Sequence, residues 1–584
     1  MNLQYEQREA RGIVAEREGF EPPNGCPLPD FESGAFDHSA ISPELRIIAE
    51  HATARASRAP RRCACAFLAW FVLASALALA GCATIPGADY PRIESTALAH
   101  PEETALGASV AARVRAHNQL SAFHLIPSGN DGLILRAELA DAAQRSLDVQ
   151  YYVFQNDDSG QLLLDAILHA ARRGVRVRML IDDSAANGAE ARIAAFAAHP
   201  NIEVRMFNPF RYRGSIEALR ITEFLFGMSR LDYRMHNKLM IADGSIAMAG
   251  GRNVGDEYFG AGKSFSFGDY DVFAMGPIVR DCSRSFDEYW NSDLAIPVQA
   301  LYPGAPTGDQ LKAFERELAE HKYDTGFEDV VKSVSGGAPL DRYLVSDEGL
   351  AWARAEVIWD SPYKKWVDHG DEPGQLLRRR LLQEMHGVKR ELTIVSPYFV
   401  PGQRGEDMLE DLVRRGVRVR VLTNSLESTD VPAVHVGYRK YRKELLEDGI
   451  ELYEVRPVLG QPHEQDGVIK APSSGQFALH AKVYEFDGQR IFVGSANFDP
   501  RSFHLNTEIG LIIDSPELAK QVIERFNAIA SPENSYVVAL DDGKVVWRTE
   551  QDGRMVEHHT EPAQDRLKQA EVDLLSLLPI ESQL

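Results

Sequence analysis

One set of polar residues occurs twice in this 584-residue sequence. It consists of a histidine, a lysine and an asparagine, in the same order and at the same spacing. In both copies the lysine follows the histidine by two residues, an aspartate follows it by seven and an asparagine by seventeen. The copies are His236, Lys238, Asp243 and Asn253, and then His480, Lys482, Asp487 and Asn497. Lysine supplies positive charge and asparagine supplies N–H donors, which suits a phosphoryl oxygen. Two such copies around one small anion therefore predict a site that binds a phosphoryl group.

Apolar residues surround each motif and predict the strands that position it. Leu239–Ala242 follows Lys238, and Val483–Phe486 follows Lys482. Because residues i and i+2 of a strand point to the same side, we expect the histidine and the lysine of each copy to project together.

Small residues and turn residues complete each copy. Gly250-Gly251 in the first copy and Gly494-Ser495 in the second allow the backbone to approach a ligand closely. Asp243-Gly244 and Asp487-Gly488 are typical of hairpin turns, which favours a structural role for both aspartates.

A wider repeat surrounds the motifs. The segment Arg172–Arg178 recurs as Arg414–Arg420, shifted by 242 residues, close to the shift of 244 between the two histidines. The order strand, helix, strand around each copy predicts βαβ units. We therefore predict an α/β fold with two duplicated α/β domains. Each should have a mixed, largely parallel sheet flanked by helices, and the two should share one active site between them.

The predicted domains cover residues 104–300, with the motif at 236–253, and residues 356–530, with the motif at 480–497. Residues 300–355 contain Pro, Gly and helical stretches, and we interpret them as a connecting insertion. Residues 531–584 are expected to form two short strands and an amphipathic closing helix.

The two motifs resemble the signature of the phospholipase D superfamily, HxKx4D followed by GG or GS and an asparagine. The segments MHNKLMIADGSIAMAGGRNVGDEYFG and LHAKVYEFDGQRIFVGSANFDPRSFHLNTEIG are most similar to bacterial cardiolipin synthases, in particular the lipoprotein-like C type. The resemblance extends over residues 104–584. It implies a phosphodiesterase or phosphatidyltransferase that works through a phosphohistidine, without a metal ion or another cofactor.

The resemblance also implies a role for each residue. His236 would be the nucleophile and His480 the general acid and base, while the lysines and asparagines hold the phosphoryl oxygens beside Gly251 and Ser495. An acidic residue downstream of each motif would orient a catalytic histidine. The candidates are Glu508 in the second half and, from aligning DYDVFAM with NTEIGLI, Asp271 in the first. The motif aspartates Asp243 and Asp487 would be structural.

The long apolar run of the sequence lies at residues 64–80. Arg61-Arg62 precede the run, and Gly81-Cys82 follow it. The segment Leu79–Cys82 resembles the bacterial lipoprotein box. This implies a signal peptide over 61–82, acylation of Cys82, and a membrane-anchored lipoprotein of the bacterial cell envelope that faces the periplasm. The inner or outer membrane is left open, and a transmembrane anchor is the alternative. Residues 1–60 are interpreted as a spurious or disordered extension.

Composition separates the remaining functional alternatives. The chain has 85 acidic and 63 basic residues and a net charge of −22, which disfavours general binding of nucleic acid. The leading interpretation is transfer of a phosphatidyl group between two membrane phospholipids, forming cardiolipin. The alternatives are hydrolysis of phospholipids to phosphatidic acid, a nuclease of the superfamily and a non-catalytic lipid-binding lipoprotein. Phosphatidylglycerol and phosphatidylethanolamine are the candidate lipids, and the need for an accessory protein is open.

Overall fold

The computed structural model describes residues 85–185, 190–213, 217–262, 265–302, 307–323, 327–336, 339–367, 377–459, 476–563 and 566–576, all within one unit, Leu77–Leu584. The predicted extension at 1–60 and the predicted signal peptide at 61–82, with Cys82, lie outside these ranges. Across the described residues, none of the helices has both the length and the apolar character needed to cross a bilayer.

The first half of the protein is a mixed sheet of eight strands with one additional short strand. The strands are β1 (Ser121–Ile126), β2 (Ser146–Tyr151), β3 (Arg176–Asp182), β4 (Ile202–Phe207), β5 (Leu239–Ala242), β6 (Ile246–Gly250), β7 (Phe265–Gly268), β8 (Asp271–Met275) and β9 (Ala295–Pro297). The order in the sheet is β1-β8-β6-β5-β2-β3-β4-β9. Strands β2, β3 and β4 are parallel, and the other pairs of this sheet are antiparallel.

The second half repeats this order and extends it. Its strands are β10 (Ala351–Trp359), β11 (Glu391–Val395), β12 (Arg418–Asn424), β13 (Glu451–Val455), β14 (Gln476–Leu479), β15 (Val483–Phe486), β16 (Arg490–Gly494), β17 (Ile509–Asp514), β18 (Ser535–Asp541), β19 (Lys544–Gln551) and β20 (Arg554–His558). The order is β10-β17-β16-β15-β11-β12-β13-β18-β19-β20, in which β11, β12 and β13 are parallel.

The α/β fold with a mixed sheet is confirmed, but parallel pairing is narrower than predicted. In each half it joins only three strands of the sheet. The reason lies in the motifs, because the strand after each lysine returns through a tight hairpin to the next strand, and a hairpin makes antiparallel pairs. The motif strands and their hairpin turns were predicted, but the antiparallel pairs that they add were not reflected in the expectation of a largely parallel sheet.

Helices cover the sheet in both halves. They are α1 (Ala105–Ala116), α2 (Gly129–Ala142), α3 (Asp158–Arg172), α4 (Glu190–Phe196), α5 (Glu217–Leu231), α6 (Ile278–Trp290), α7 (Val298–Leu301), α8 (Gly308–Glu320), α9 (Glu328–Gly336), α10 (Pro339–Val345), α11 (Lys364–Val367), α12 (Leu377–His386), α13 (Gly402–Arg414), α14 (Pro432–Glu447), α15 (Pro500–His504), α16 (Pro516–Ile529) and α17 (Arg566–Leu575).

The repeated Arg-Arg-Gly-Val-Arg-Val-Arg segment marks the end of a helix and the start of a strand. Helices α3 and α13 end at the first arginine of the segment, and β3 and β12 begin directly after its first valine. The glycine between them, Gly174 or Gly416, has a φ of 97° or 84°, a left-handed conformation that glycine adopts without strain at the end of a helix. At the other end of α3, the Asp157 carboxylate accepts a hydrogen bond from the backbone N of Gly160 at 2.9 Å.

The sheets of the two halves are joined at β10. Its first residues, Ala351–Ala353, pair with β1, and Arg354–Trp359 pair with β17. A second connection is the parallel pair of β7 with β14. Apolar side chains of both motif strands, including Leu239, Ile241 and Val483, belong to one buried cluster. The two motifs therefore rest on a shared core.

Residues 300–355 were predicted as a connecting insertion and residues 531–584 as a closing unit. Residues 300–355 contain α8, α9 and α10 and the first residues of β10. Helix α10 contacts α2 through the backbone N of Leu340, which donates to Glu138 Oε2 at 2.8 Å. Beyond residue 531 the structure has three strands, β18 to β20, followed by α17, where the sequence pattern indicated two strands and a helix.

Candidate active site

Each motif lies in an extended segment that leads directly into its strand. The Lys238 ammonium group donates to the backbone O of His236 at 2.7 Å. The Lys482 ammonium group likewise contacts the backbone O of His480, and its Nζ lies 3.1 Å from the Nδ1 of that ring. All four side chains are buried. The histidine and lysine of each copy are thus neighbours, as their spacing indicated.

The two motif aspartates stabilise the backbone at the hairpin turns. The carboxylate of Asp243 accepts three backbone N–H bonds, from Gln144 at 2.9 Å, Arg145 at 2.8 Å and Ser146 at 2.9 Å. The carboxylate of Asp487 does the same at the equivalent place, accepting from the backbone N atoms of residues 389 to 391 at 2.7–3.2 Å. Each aspartate therefore ties the hairpin to the start of the first parallel strand, which is a structural role.

His236 is held by a carboxylate from the other half of the chain. Its Nδ1 lies 2.8 Å from Oε2 of Glu508. The backbone supports this pair, because the N of His236 donates to the O of Thr507 at 2.9 Å. Ser495 Oγ donates to the same Glu508 oxygen at 2.5 Å. Ser495 is therefore hydrogen-bonded to the carboxylate that holds His236.

His480 has the mirror arrangement, with a carboxylate from the first half. Its Nδ1 lies 2.6 Å from Oδ2 of Asp269, and its backbone N donates to the O of Gly268 at 2.8 Å. Gly251 allows this approach, because a Cβ at that position would collide with the Asp269 carboxylate. Gly251 and Ser495, the equivalent residues of the two copies, thus both lie against the carboxylate that orients a histidine.

The prediction that Asp271 orients a catalytic histidine is wrong. Asp271 is the first residue of β8, and its Oδ2 accepts from Arg136 Nη1 at 2.9 Å and from Arg252 Nη1 at 3.2 Å. The sheet register explains the error. Asp271 pairs with Gly250, and its counterpart in the second half is Gly510, which pairs with Gly494. The residue two positions upstream is Asp269 in one half and Glu508 in the other.

The spacing along the sequence hides the equivalence of Asp269 and Glu508. Asp269 lies 19 residues after Gly250, the glycine that ends β6, whereas Glu508 lies 14 residues after Gly494, the glycine that ends β16. Only an alignment with a gap of five residues places the two carboxylates opposite each other, and the alignment of DYDVFAM with NTEIGLI is shifted by two residues.

Burial keeps both histidines neutral at neutral pH. It lowers the pKa of His236 well below its ordinary value, and the nearby Lys238 and Lys482 lower it further. Burial and Lys482 lower the pKa of His480 to about 4, although Asp269 favours its protonated form. Each ring therefore has an unprotonated Nε2 at neutral pH when its Nδ1–H donates to the carboxylate.

The two carboxylates differ in charge state. Burial raises the pKa of Glu508 to about 7, against the lowering effect of Lys238. Burial alone would also raise the pKa of Asp269, but His480, Lys482 and Arg252 lower it to about 2. Asp269 is therefore ionised at neutral pH and stabilises a positive charge on its histidine, whereas Glu508 is only partly ionised.

Both lysines are buried away from water, so a nearby anion has a large effect on their pKa values. Burial lowers the pKa of Lys482 to about 8, against the effect of Asp269 and Glu508. Burial also lowers the pKa of Lys238 well below its ordinary value, and Lys482 adds to this. A bound phosphodiester anion would raise the pKa of both groups and so favour their positively charged form.

Aromatic rings line the two motifs. Tyr152 packs edge-on against His236, with ring centroids 5.2 Å apart, and lies under the Lys238 ammonium group. Tyr258 packs in the same way against His480, also at 5.2 Å, and its hydroxyl accepts from Asn253 Nδ2 at 2.9 Å. The sequence analysis did not identify Tyr152 or Tyr258. Asn253 and Asn497 are both buried beside the motifs.

The chain is similar to known proteins. The family described as cardiolipin synthase, PLD-like domain, matches residues 136–290 and 381–530. Cardiolipin synthase C of Escherichia coli (strain K12) is 38% identical over 77% of this chain and 93% of that protein. A cardiolipin synthase of Geobacillus kaustophilus is 26% identical over 67% of this chain and 62% of that protein.

A solved structure has the same fold. The crystal structure of phosphatidylserine synthase from Haemophilus influenzae is similar over 81% of this chain and 100% of that one, with a TM-score of 0.51 and 14% identity. Two histidines, each paired with a carboxylate across two α/β halves, define an enzyme of the phospholipase D type. This chain belongs to the phospholipase D-like family of cardiolipin synthases, and the resemblance drawn from the two motifs is confirmed.

Proposed function

We propose that this protein is a phosphatidyltransferase that joins two phospholipids to form cardiolipin. The observation that carries the proposal is the pair of buried histidines, each hydrogen-bonded to a carboxylate of the other half, His236 to Glu508 and His480 to Asp269. Membership of the cardiolipin synthase family and the 38% identity to cardiolipin synthase C support the choice of reaction.

The first step forms a phosphohistidine on His236. Its Nε2 attacks the phosphorus of the donor phospholipid while the P–O bond to the headgroup alcohol breaks. His480 gives the departing oxygen a proton from its own Nε2. The negative charges of the bound phosphodiester and of Asp269 favour the protonated imidazole that this step needs.

The second step transfers the phosphatidyl group to the acceptor. The neutral His480 removes the proton from a hydroxyl group of the second phospholipid, and that oxygen attacks phosphorus. The P–N bond to His236 breaks and the histidine returns to its starting state. Lys238 and Lys482 hold the phosphoryl oxygens during both steps, with Asn253 and Asn497 as further donors. Because the lysines supply the positive charge, activity should be retained in EDTA.

One assay separates this proposal from its alternatives. The purified full-length protein is incubated with labelled phosphatidylglycerol and phosphatidylethanolamine, and the products are resolved by chromatography. Labelled cardiolipin is expected, and a His236→Ala variant should form none. Phosphatidic acid without cardiolipin would indicate a hydrolase, and the absence of any product would indicate a non-catalytic lipid-binding protein.

The location of the protein is part of the proposal. Cys82 would be acylated and would anchor the chain to a membrane of the bacterial envelope, with the active site in the periplasm. The order of basic, apolar and small residues over 61–82 supports this location. A lipid anchor keeps the enzyme at the surface in which its substrates reside.

A further inference from the structure

Helix α5 turns an uncharged face toward solvent. Among its side chains that the structure describes, the exposed ones are Ala218, Leu219, Ile221, Thr222, Leu225, Phe226, Met228 and Ser229. The five large apolar residues of this face are exposed to an unusual degree, with Leu219 at 47%, Ile221 at 45%, Leu225 at 51%, Phe226 at 53% and Met228 at 37%. On an α-helix the exposed positions lie within one half of the circumference, with Thr222 and Ser229 between the large apolar residues, so they form one uncharged and mostly apolar face.

The charged residues of α5 whose side chains the structure describes face the protein instead. Arg220 is buried and donates to the backbone O of Asp183. Arg230 Nη1 donates to Asn208 Oδ1 at 2.8 Å, and the Glu223 carboxylate accepts from two backbone N–H groups at 2.7 Å. A helix on the surface of a protein in water normally has the opposite arrangement, with charge outward and apolar residues inward. The exposed face of α5 therefore suits an apolar neighbour.

The helix is fixed to the segment that carries the proposed nucleophile. It ends at Leu231, five residues before His236. Directly after it, Asp232 forms an ion pair with Arg501 of the second half at 2.8 Å, and the hydroxyl of Tyr233 donates to the backbone O of Pro362 at 2.7 Å. The apolar face thus has a defined position relative to the catalytic histidine.

We propose that this face of α5 binds the surface of a phospholipid bilayer, with Leu225 and Phe226 inserted among the acyl chains. The choice of a lipid partner rests on the proposed function, because the donor and acceptor lipids lie in a bilayer. It also rests on chemistry, since among its described side chains the face has large apolar groups, and its polar groups are the hydroxyls of Thr222 and Ser229. A protein partner generally requires a polar rim around its apolar centre.

Quenching of tryptophan fluorescence by brominated lipids tests insertion directly. The full-length Phe226→Trp protein is mixed with vesicles of phosphatidylglycerol and phosphatidylethanolamine, with or without bromine on the acyl chains. The control is Val345→Trp, because Val345 is exposed on α10, outside the proposed surface. Quenching above that of the unmodified protein is expected for Phe226→Trp alone. Equal quenching in both variants, or in neither, would overturn the proposal.

Activity on two substrates separates this proposal from the proposed function. The Leu225→Glu/Phe226→Glu variant should lose about tenfold or more of its rate on vesicles, because charge on the inserted face opposes binding to the bilayer. Its rate on a soluble short-chain phospholipid should equal that of the unmodified protein, and Val345→Glu should change neither rate. Equal rates on vesicles for the double variant and the unmodified protein would overturn bilayer binding.

Two further outcomes are distinguishable. If the unmodified protein processes neither substrate, the proposed function fails while the quenching experiment still tests the surface. If the double variant converts a detergent-solubilised dimer into a monomer and Phe226→Trp is not quenched, the face binds a second copy of the chain. That result would overturn the lipid assignment.

Discussion

Glu508 and His236 lie in different halves of the chain, 272 residues apart, yet their Oε2 and Nδ1 atoms are 2.8 Å from each other. Asp269 and His480 form the reciprocal pair at 2.6 Å. Each half therefore supplies a histidine to the site and the carboxylate that orients the other histidine. Two equivalent histidines are consequently placed beside carboxylates with different pKa values, about 7 for Glu508 and about 2 for Asp269.

Replacing Asp269 and Asp271 should have different effects. Asp269→Asn removes the charge that stabilises protonated His480, so turnover should fall by about 10²- to 10⁴-fold. The thermal unfolding of this variant should match that of the unmodified protein. Asp271→Asn leaves the buried Arg136 and Arg252 without their carboxylate, and should reduce the free energy of unfolding by about 3–5 kcal/mol. Turnover per folded molecule and thermal unfolding by circular dichroism measure both effects. Equal losses of turnover in the two folded variants would contradict the assignment of Asp269.

The two histidines should differ in an adduct-trapping experiment. His236→Ala should lose both turnover and the covalent intermediate. His480→Ala should lose turnover on natural lipids but still trap phosphate on His236 when the leaving group is a nitrophenol, which needs no proton. The adduct is mapped by mass spectrometry after acid-free quenching. Label on His480 in His236→Ala, with none on His236 in His480→Ala, would reverse the two roles.

The pH dependence of kcat/KM should be bell-shaped and narrow. Glu508 has a raised pKa of about 7, so below that pH it is protonated and loses the negative charge that stabilises the His236 ring as the ring becomes positive on attacking phosphorus, and activity falls as the pH decreases. Lys482 has a lowered pKa of about 8, so above that pH it loses the charge that binds phosphate, and activity falls as the pH increases. Initial rates between pH 5 and 10 provide the test.

Two variants assign the limbs of this profile. Glu508→Gln cannot titrate, so the acid limb near pH 7 should disappear at a lower maximal rate. Lys482→Arg stays charged, so the alkaline limb should move beyond the measured range. An unchanged profile in both variants would contradict both assignments and would indicate that the two histidines titrate as a coupled pair.

Acylation at Cys82 is testable in cells. A Cys82→Ala variant should no longer incorporate labelled palmitate, because the acyl chains require that thiol. Cys282→Ala is the matched control and should be labelled normally, since Cys282 is a buried cysteine of α6. Continued labelling of Cys82→Ala would refute the lipoprotein assignment.

The sequence predicted the site best where the distances between its residues are set within one short segment of the chain. The distances from His236 to Lys238 and Asp243 are set within one segment and one hairpin, and the second copy reproduces them, so the site residues could be identified from the pattern. The ends of the helices near Gly174 and Gly416 could be predicted for the same reason, because the backbone conformation at a helix end favours glycine locally.

The partner of each histidine could not be read in the same way. Asp269 contacts a residue 211 positions away, and that contact depends on the sheet register and on how the two halves meet. Register is set by many side chains along the strands, so an alignment error of two residues was enough to select Asp271. The share of antiparallel pairing was underestimated, although both hairpin turns were predicted, because short apolar runs do not reveal the strands with which they pair.

The cross-pairing of the histidines also has a consequence for biosynthesis. A chain that is still being made has His236 long before it has Glu508, and Asp269 long before His480. No growing or prematurely terminated chain that stops before residue 508 contains a complete site. If the protein is exported through a membrane during its synthesis, lipid-cleaving chemistry is withheld until nearly the whole polypeptide has emerged and both halves have folded together.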